Sequence, residues 1–227
     1  MNRNENLTRI FSEAGAVHGY DDVKADFTPF RDFKVKWMRS YKWINFDVSD
    51  YMMEADERIL SSVADTLYRK IRNLDGSYYS KEVCDWLTSD GFVEMNQDKY
   101  VRRCRGFSLS PKGRNHDLSE SYARLVDQGL VEEDPMIRLG WLPSCRSRSV
   151  GHSSVLMKVV SIYDNLDASS ISDDLMDYCL FSQLCHVGMG FNRTGKQRNA
   201  EYDAALNMHP NRVAMEEELM RLCLSVG

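Results

Sequence analysis

Residues 159–190, VVSIYDNLDASSISDDLMDYCLFSQLCHVGMG, decide the fold of this chain. The run Val159–Ile162 is apolar and mostly β-branched, which predicts a buried strand. A turn follows, and a long apolar helix is then predicted from Ser172 to about Val187. Ser172 is a good N-terminal cap, acidic residues follow in the first turn, and glycines stand after the last turn. The stretch therefore predicts a strand, a turn and a buried helix.

The last turns of this helix contain a pattern that bears on chemistry. Residues 182–186 are Ser-Gln-Leu-Cys-His. A zinc hydrolase carries His-Glu-x-x-His on such a helix, where two histidines one turn apart bind Zn²⁺ and the glutamate activates the bound water. Here Ser182 and Gln183 stand at the first ligand and the base, and His186 stands at the second ligand. The pattern predicts a metallohydrolase scaffold that has lost one zinc ligand and the catalytic base.

Composition and charge narrow the class of protein. The chain has 227 residues, of which 43% are hydrophobic and 28% charged, as is ordinary for a globular protein, and its net charge of −5 does not favour a nucleic-acid surface. No apolar run approaches the roughly 20 residues that span a bilayer. The N-terminal residues lack the apolar core of a signal peptide, so we expect a cytoplasmic protein with no membrane partner.

Cysteines are scattered along the sequence without a CxxC pair. There are six, at positions 84, 104, 145, 179, 185 and 223. In a cytosolic chain of this size, such spacing predicts reduced thiols, several of them buried, and favours neither a disulfide framework nor a zinc ribbon.

The remaining elements are predicted from hydrophobic periodicity. Apolar residues alternate in 33–37 and again in 43–48, which predicts paired strands. They recur every four positions in 55–71, which predicts an amphipathic helix. Residues 80–131 are helical in pattern and more polar, and a last helix is predicted from Pro210 to about Leu224.

Strands and helices are mixed without βαβ alternation, so we predict the α+β class, with a small mixed sheet flanked by helices. We predict an N-terminal arm over residues 1–25 and a single domain over 26–227. Residues 80–131 would form a helical insertion or subdomain within it.

Several phrases of the sequence occur in the order known from one family. They are Gly-His-Ser-Ser at 151–154, Val-Val-Ser-Ile at 159–162, Leu-Asp at 166–167, the helix phrase at 177–187 and Met-His-Pro-Asn-Arg-Val at 208–213. In this order the chain resembles the SprT-like, minimal gluzincin group of metallopeptidases, and especially the archaeal metal-dependent hydrolases of that group. The resemblance is strongest over residues 150–217. It implies a zincin-like fold and a degenerate HExxH motif.

Carried over by position, the resemblance assigns site residues. The first zinc ligand falls on Ser182, the catalytic base on Gln183, the second ligand on His186 and the third on His209. Serine is not a practical zinc ligand at neutral pH and glutamine cannot act as a base, so the usual hydrolytic route is lost. His186 and His209 are either a residual metal pair or inherited positions that are now packed or hydrogen-bonded.

Two further residues are candidates beside these positions. Cys179 lies in one helical stripe with Ser182 and His186 and could supply a thiolate to a rewired site, although a buried cysteine on an apolar face is commoner. His152 precedes the strand that, by the resemblance, flanks the cleft, and it could line that cleft.

Three functional hypotheses follow. The first is a non-catalytic homologue that binds a peptide or protein partner or regulates one, with no cofactor, or with Zn²⁺ only if the residual histidine pair still works. The second is an active metal-dependent hydrolase whose missing groups come from elsewhere, for example Glu201, Glu216 or Glu217. The third, ranked last because acidic residues are interleaved, is a nucleic-acid-associated module using the basic region 99–114.

Overall fold

The structure is a computed structural model, and it describes residues 2–76, 78–144, 149–194 and 199–225, with side chains up to residue 222. The predicted α+β class is confirmed. The helices are α1 (Arg3–Val17), α2 (Glu57–Ile71), α3 (Lys81–Leu87), α4 (Asp90–Arg103), α5 (Leu118–Asp127), α6 (Asp173–Gly188), α7 (Asn199–Leu206) and α8 (Arg212–Ser225). The strands are β1 (Asp22–Thr28), β2 (Val35–Arg39), β3 (Trp43–Ser49), β4 (Arg138–Leu142), β5 (Gly151–Ser154) and β6 (Val159–Tyr163).

The chain divides into two compact units. Unit 1 extends to Phe92, unit 2 begins at Val93, and a short segment from Asn192 belongs to unit 1. The prediction of a single domain over 26–227 stays a prediction. The region 80–131, predicted as helical, contains α3, α4 and α5.

Unit 1 is built on a sheet with the strand order β1-β3-β2. The predicted pairing of β2 with β3 is confirmed and is antiparallel, whereas β1 pairs with β3 in parallel. Helix α1 buries Leu7, Ile10 and Phe11 in this core, where the Phe11 ring lies 4.9 Å from that of Phe46 and the Phe11 carbonyl accepts a 3.0 Å hydrogen bond from the Tyr68 hydroxyl. Residues 1–25, predicted as an arm, thus supply a helix and part of a strand to the core.

Unit 2 is built on a second sheet with the order β4-β6-β5, in which β4 is parallel and β5 antiparallel to β6. Helix α6 packs against β5, β6, α5, α7 and α8. Its bounds agree with the prediction to within a residue, and the side chain of Ser172 caps it as predicted by accepting a hydrogen bond from the Leu175 amide at 3.2 Å. Neither β4 nor α7 is predicted from the sequence.

No helix in the described part of the chain is long and apolar enough to cross a membrane. Cys84, Cys104, Cys179 and Cys185 are reduced thiols, as predicted. Cys145 and the side chain of Cys223 lie outside the described residues.

Candidate functional site

Helix α6 carries three of the predicted site residues. Every residue from Leu175 to Cys185 is buried, because the helix is covered on one side by the sheet and on the others by helices. A helix buried all round is mostly apolar on every face. Any polar side chain that it does contain needs a hydrogen-bond partner inside the protein.

Ser182 and Gln183 form hydrogen bonds within their own helix. Both are only 7% exposed. The Ser182 hydroxyl donates to the carbonyl of Cys179 at 2.8 Å, and the Gln183 amide donates to the Ser182 hydroxyl oxygen at 3.5 Å. The two residues therefore form a local hydrogen-bonded pair at the positions where a zinc hydrolase has a ligand and a base.

His186 is packed against an aromatic ring of α7. The rings of His186 and Tyr202 are stacked, with centroids 4.0 Å apart and planes 10° from parallel. The Tyr202 hydroxyl donates to the Ser182 carbonyl at 3.2 Å. Tyr202 therefore covers the stripe of α6 from Ser182 to His186. Burial lowers the pKa of His186, so its imidazole is neutral at neutral pH.

His209 is packed against an earlier part of α6. Its ring lies 5.0 Å from that of Tyr178 and 5.5 Å from that of Phe181. The Nδ1 atom of His209 accepts a hydrogen bond from the main-chain amide of Asn211 at 3.3 Å. Burial lowers the pKa of His209, and the carboxylates of Asp177 and Asp174 only partly offset this effect.

A depression of about 230 Å³ opens beside His209. It is lined by Gln128, Asp174, Asp177, His209, Pro210 and Asn211. The carboxylate of Asp177 is held by a bidentate contact with Arg124, at 2.8 and 2.7 Å. One of the two acidic groups in this depression is thus neutralised within the protein.

The two predicted zinc-binding histidines have different neighbours: Tyr202 for His186, and Tyr178 and Phe181 for His209. Over residues 2–76, 78–144, 149–194 and 199–222, no group of three or more His, Cys, Asp and Glu side chains is arranged to hold a metal ion. The residual metal pair stays a prediction.

The remaining candidates lie around the same helix and sheet. Cys179 is fully buried in α6, and its role in a rewired site stays a prediction. Burial raises the pKa of the neighbouring Cys185 thiol to about 11, which leaves that thiol protonated and unreactive at neutral pH. His152 lies on β5, and its Nε2 atom is 3.0 Å from the Tyr100 hydroxyl of α4.

A cluster that the sequence analysis missed joins α6 to α8. Glu216 accepts hydrogen bonds from the Tyr178 hydroxyl at 2.8 Å and from Arg212 Nε at 2.7 Å. Burial alone would raise the pKa of Glu216, but these two hydrogen bonds outweigh it and hold the pKa below its usual value. Glu216, named above as a replacement base, is therefore engaged as a structural anion. The four-residue spacing of Arg212 and Glu216 on one helix was the signal that could have revealed part of this cluster.

A second missed cluster is centred on Asp167 in the loop after β6. Its carboxylate accepts hydrogen bonds from three consecutive main-chain amides, those of Arg114, Asn115 (3.0 Å) and His116 (3.0 Å). The His116 Nδ1 atom lies 3.3 Å from the same carboxylate. Burial opposes ionisation of Asp167, but these hydrogen bonds outweigh it and lower its pKa. A Cβ atom at Gly113 would collide with the carboxylate, so any larger residue there would have to displace Asp167 from these amides.

No protein-family model, curated protein or solved structure matches this chain.

Proposed function

We propose that this chain is a non-catalytic relative of the SprT-like zinc metallopeptidases and that it acts by binding a peptide or protein partner. One observation carries the proposal. The helix turn that holds a ligand and a base in an active enzyme here holds Ser182 and Gln183, both hydrogen-bonded locally, and it is covered by Tyr202.

The residues present do not fit a catalytic zinc ion. Such a site needs three protein ligands, an open fourth position and a base for the bound water. The Ser182 hydroxyl is committed as a donor to the Cys179 carbonyl, and Gln183 has no basic atom. The ring of Tyr202 occupies the space over His186. We derive no hydrolytic step through this helix.

A binding role is consistent with how α6 is built. Its polar residues are satisfied inside unit 2, and α7 and α8 are fixed to it through Tyr202 and through Glu216 with Arg212. Because the stripe from Ser182 to His186 is filled in this way, a binding role would fall to the surface of the protein.

Zinc loading followed by gel filtration and elemental analysis tests the proposal. The wild-type protein should retain no stoichiometric zinc and should not cleave casein in the presence of added Zn²⁺. The variant Ser182→His with Gln183→Glu and Tyr202→Ala restores the ligand and the base and removes the covering ring, so it should gain zinc affinity by orders of magnitude.

The matched control is Ser182→Ala with Gln183→Ala and Tyr202→Ala, which opens the same space without adding a ligand. Zinc-dependent cleavage of casein by the wild-type protein, abolished by chelator and by His186→Ala, would overturn the proposal. An equal zinc content in the restored variant and in this control would contradict the kinship to the metallopeptidases.

A further inference from the structure

Strand β2 of unit 1 has an open edge. It is the last strand in the order β1-β3-β2, and no other described strand pairs with its far side. Hydrogen bonds join the Ser49 amide to the Lys34 carbonyl and the Ser40 amide to the Trp43 carbonyl. Because bonded and non-bonded pairs alternate in an antiparallel ladder, the main-chain groups of 35, 37 and 39 point away from β3.

The same segment concentrates positive charge. Residues 31–42, RDFKVKWMRSYK, contain five basic residues and one acidic residue, a net charge of +4 in a chain whose net charge is −5. Lys34 and Lys36 lie over the ring of Phe30, at 4.8 and 5.4 Å from its centroid, and Arg39 donates to the Tyr20 hydroxyl at 3.3 Å.

These three cations lack a carboxylate partner among the described residues. Elsewhere, exposed cations such as Lys81 have one, in this case Asp85. No ion pair shorter than 4.0 Å among the described residues therefore neutralises these three cations, whereas Lys42 of the same segment is paired with Asp21, and Asp47 stands opposite Lys36 on β3.

Large apolar side chains are exposed along the same edge. Trp37 is 44% exposed, Met38 64% and Tyr41 88%. Lysines on an edge strand by themselves protect it against pairing with other chains. Exposed aromatic and thioether side chains at the same place have the opposite effect, because burying them against another surface is favourable. This edge therefore combines open main-chain groups, cations and exposed apolar side chains.

We propose that residues 34–42, here called the edge patch, bind an acidic, extended segment of a partner protein as an additional strand beside β2. The main-chain groups of 35, 37 and 39 supply the ladder of hydrogen bonds. Side chains alternate between the two faces of a strand, so Lys34 and Lys36 with Met38 meet the partner on one face of the sheet, and Arg39 with Trp37 meets it on the other. This proposal builds on the binding role proposed above by naming the partner's chemistry, and it uses no residue of α6.

A single-stranded nucleic acid would also be attracted by cations and aromatic rings. It would make no use of the open row of main-chain donors and acceptors, which an extended peptide pairs with directly. The strand edge therefore favours the peptide, and the nucleic acid becomes an outcome of the test.

Fluorescence anisotropy with three probes tests the proposal on the whole chain. The first probe is a labelled peptide of about twelve residues with the repeat Glu-Glu-Val-Val, which places carboxylates and apolar side chains on both faces and is long enough to cover a strand. The second is the same peptide with consecutive central residues N-methylated, which removes hydrogen-bond donors from both of its edges. The third is a labelled oligothymidylate of about twenty nucleotides, which covers a typical single-strand site.

We expect the wild-type protein to bind the acidic peptide, and N-methylation to weaken binding about tenfold or more. The variant Lys34→Gln, Lys36→Gln, Arg39→Gln should bind the peptide about tenfold more weakly. The matched variant Arg58→Gln, Lys81→Gln, Arg221→Gln changes the net charge equally at side chains that are 78–84% exposed, and it should bind as the wild type does.

Val35→Pro removes one amide from the open edge and none from the β2–β3 ladder, so it should weaken the peptide without loss of the fold. If this variant does not fold, the N-methylated peptide still tests the hydrogen-bonded ladder.

Any of four results would overturn the proposal: no binding of the acidic peptide, equal weakening by both triple variants, full binding of the N-methylated peptide, or tighter binding of the oligothymidylate than of the peptide. None of these results involves zinc or hydrolysis, so failure here is distinct from failure of the function proposed for α6.

Discussion

Two histidine environments of unit 2 differ in kind. The ring of His116 is 5% exposed and both its nitrogens face acceptors, the Asp167 carboxylate at 3.3 Å and the Ile171 carbonyl at 3.0 Å. The ring of His186 is stacked on Tyr202, and no described residue makes a hydrogen bond to it. His116, which lies outside any motif, is held by a polar network, whereas His186, within the motif, is stacked on an aromatic ring.

This difference shows what helical spacing can and cannot indicate. The positions 182–186 reveal which side chains share a stripe of a helix, because the helix geometry is local. They do not reveal which groups reach that stripe from elsewhere. Asp167 and His116 are 51 residues apart, and their contact depends on two loops that the fold brings together.

Loss of the Asp167 carboxylate should have the largest effect on stability. Asp167→Ala leaves three main-chain amides and the His116 ring without their shared acceptor. We expect the free energy of unfolding to fall by about 3 kcal/mol, since a hydrogen bond to a charged group contributes about 1.5–3 kcal/mol and His116 is buried, while water can replace the acceptor at the exposed residues Arg114 and Asn115. Urea denaturation measures this change.

Asp127→Ala, at an exposed position at the end of α5, is the control and should change the free energy of unfolding by less than about 0.5 kcal/mol. An equally small effect of Asp167→Ala would mean that the network around His116 does not stabilise the fold.

Removal of the Arg124 guanidinium should have the next largest effect on stability. It should also change the pKa of only one of the two predicted zinc-binding histidines. Arg124→Ala leaves the buried carboxylate of Asp177 without its bidentate partner. Because Arg124 is partly exposed and water can enter, we expect a loss of about 2 kcal/mol, below the 3–5 kcal/mol typical of a fully buried pair. Urea denaturation measures this loss.

The same substitution frees the charge of Asp177, which raises the pKa of His209. In a titration followed by NMR, the pKa of His209 should rise in Arg124→Ala, and that of His186 should stay as in the wild type. A rise at both histidines, or at neither, would contradict the different surroundings described for them.

Local signals account for the part of the fold that the sequence predicted. Helix α6 could be placed to within a residue because its cap, Ser172, and its acidic first turn are local. The pairing of β2 with β3 was predicted because a short turn joins them. Strands β1 and β4 escaped prediction, since each pairs in parallel with a strand that is remote in sequence.

The candidate site was predictable only in its chain positions. The positions of Ser182, Gln183 and His186 follow from one helix turn, and the burial of Ser182 and Gln183 follows from the apolar residues around them. Tyr202, which covers them, lies on a helix that the sequence analysis missed because its eight residues carry no clear apolar periodicity. The acceptor role of Asp167 depends on the main-chain conformation of residues 114–116, for which the sequence has no simple signal.

The pH dependence of stability should separate the histidines from Asp167. Burial lowers the pKa of His186 and of His209 in the folded protein. Below pH 6.5, the ordinary pKa of histidine, the unfolded chain therefore binds protons that the folded chain does not. The free energy of unfolding consequently decreases as the pH is lowered. The slope is at most about 1.4 kcal/mol per pH unit for each histidine.

Asp167 acts in a lower window. Its pKa is lowered by hydrogen bonds that outweigh burial, so its contribution is present above 3.8 and is lost as the pH falls further. In urea denaturation at pH 3 to 7.5, His186→Phe with His209→Phe should flatten the curve between pH 7 and 5, and Asp167→Asn should flatten it below pH 4. Curves that stay parallel to the wild type in both windows would show that other groups cause the pH dependence.

The smallest expected effect is that of replacing His186 by another flat ring. His186→Phe keeps a ring against Tyr202, so it should change the free energy of unfolding by less than about 1 kcal/mol, whereas His186→Ala loses the stacked pair and should cost about 1 kcal/mol more. His18→Phe is the matched control, because His18 is stacked on Tyr68 at 5.2 Å and has no predicted metal role.

Thermal unfolding with and without chelator tests whether His186 binds a metal ion. If His186 is a packing residue, chelator leaves the melting temperature of the wild type and of both phenylalanine variants unchanged. A melting temperature that chelator lowers in the wild type and in His18→Phe, but not in His186→Phe, would instead restore His186 as a metal ligand.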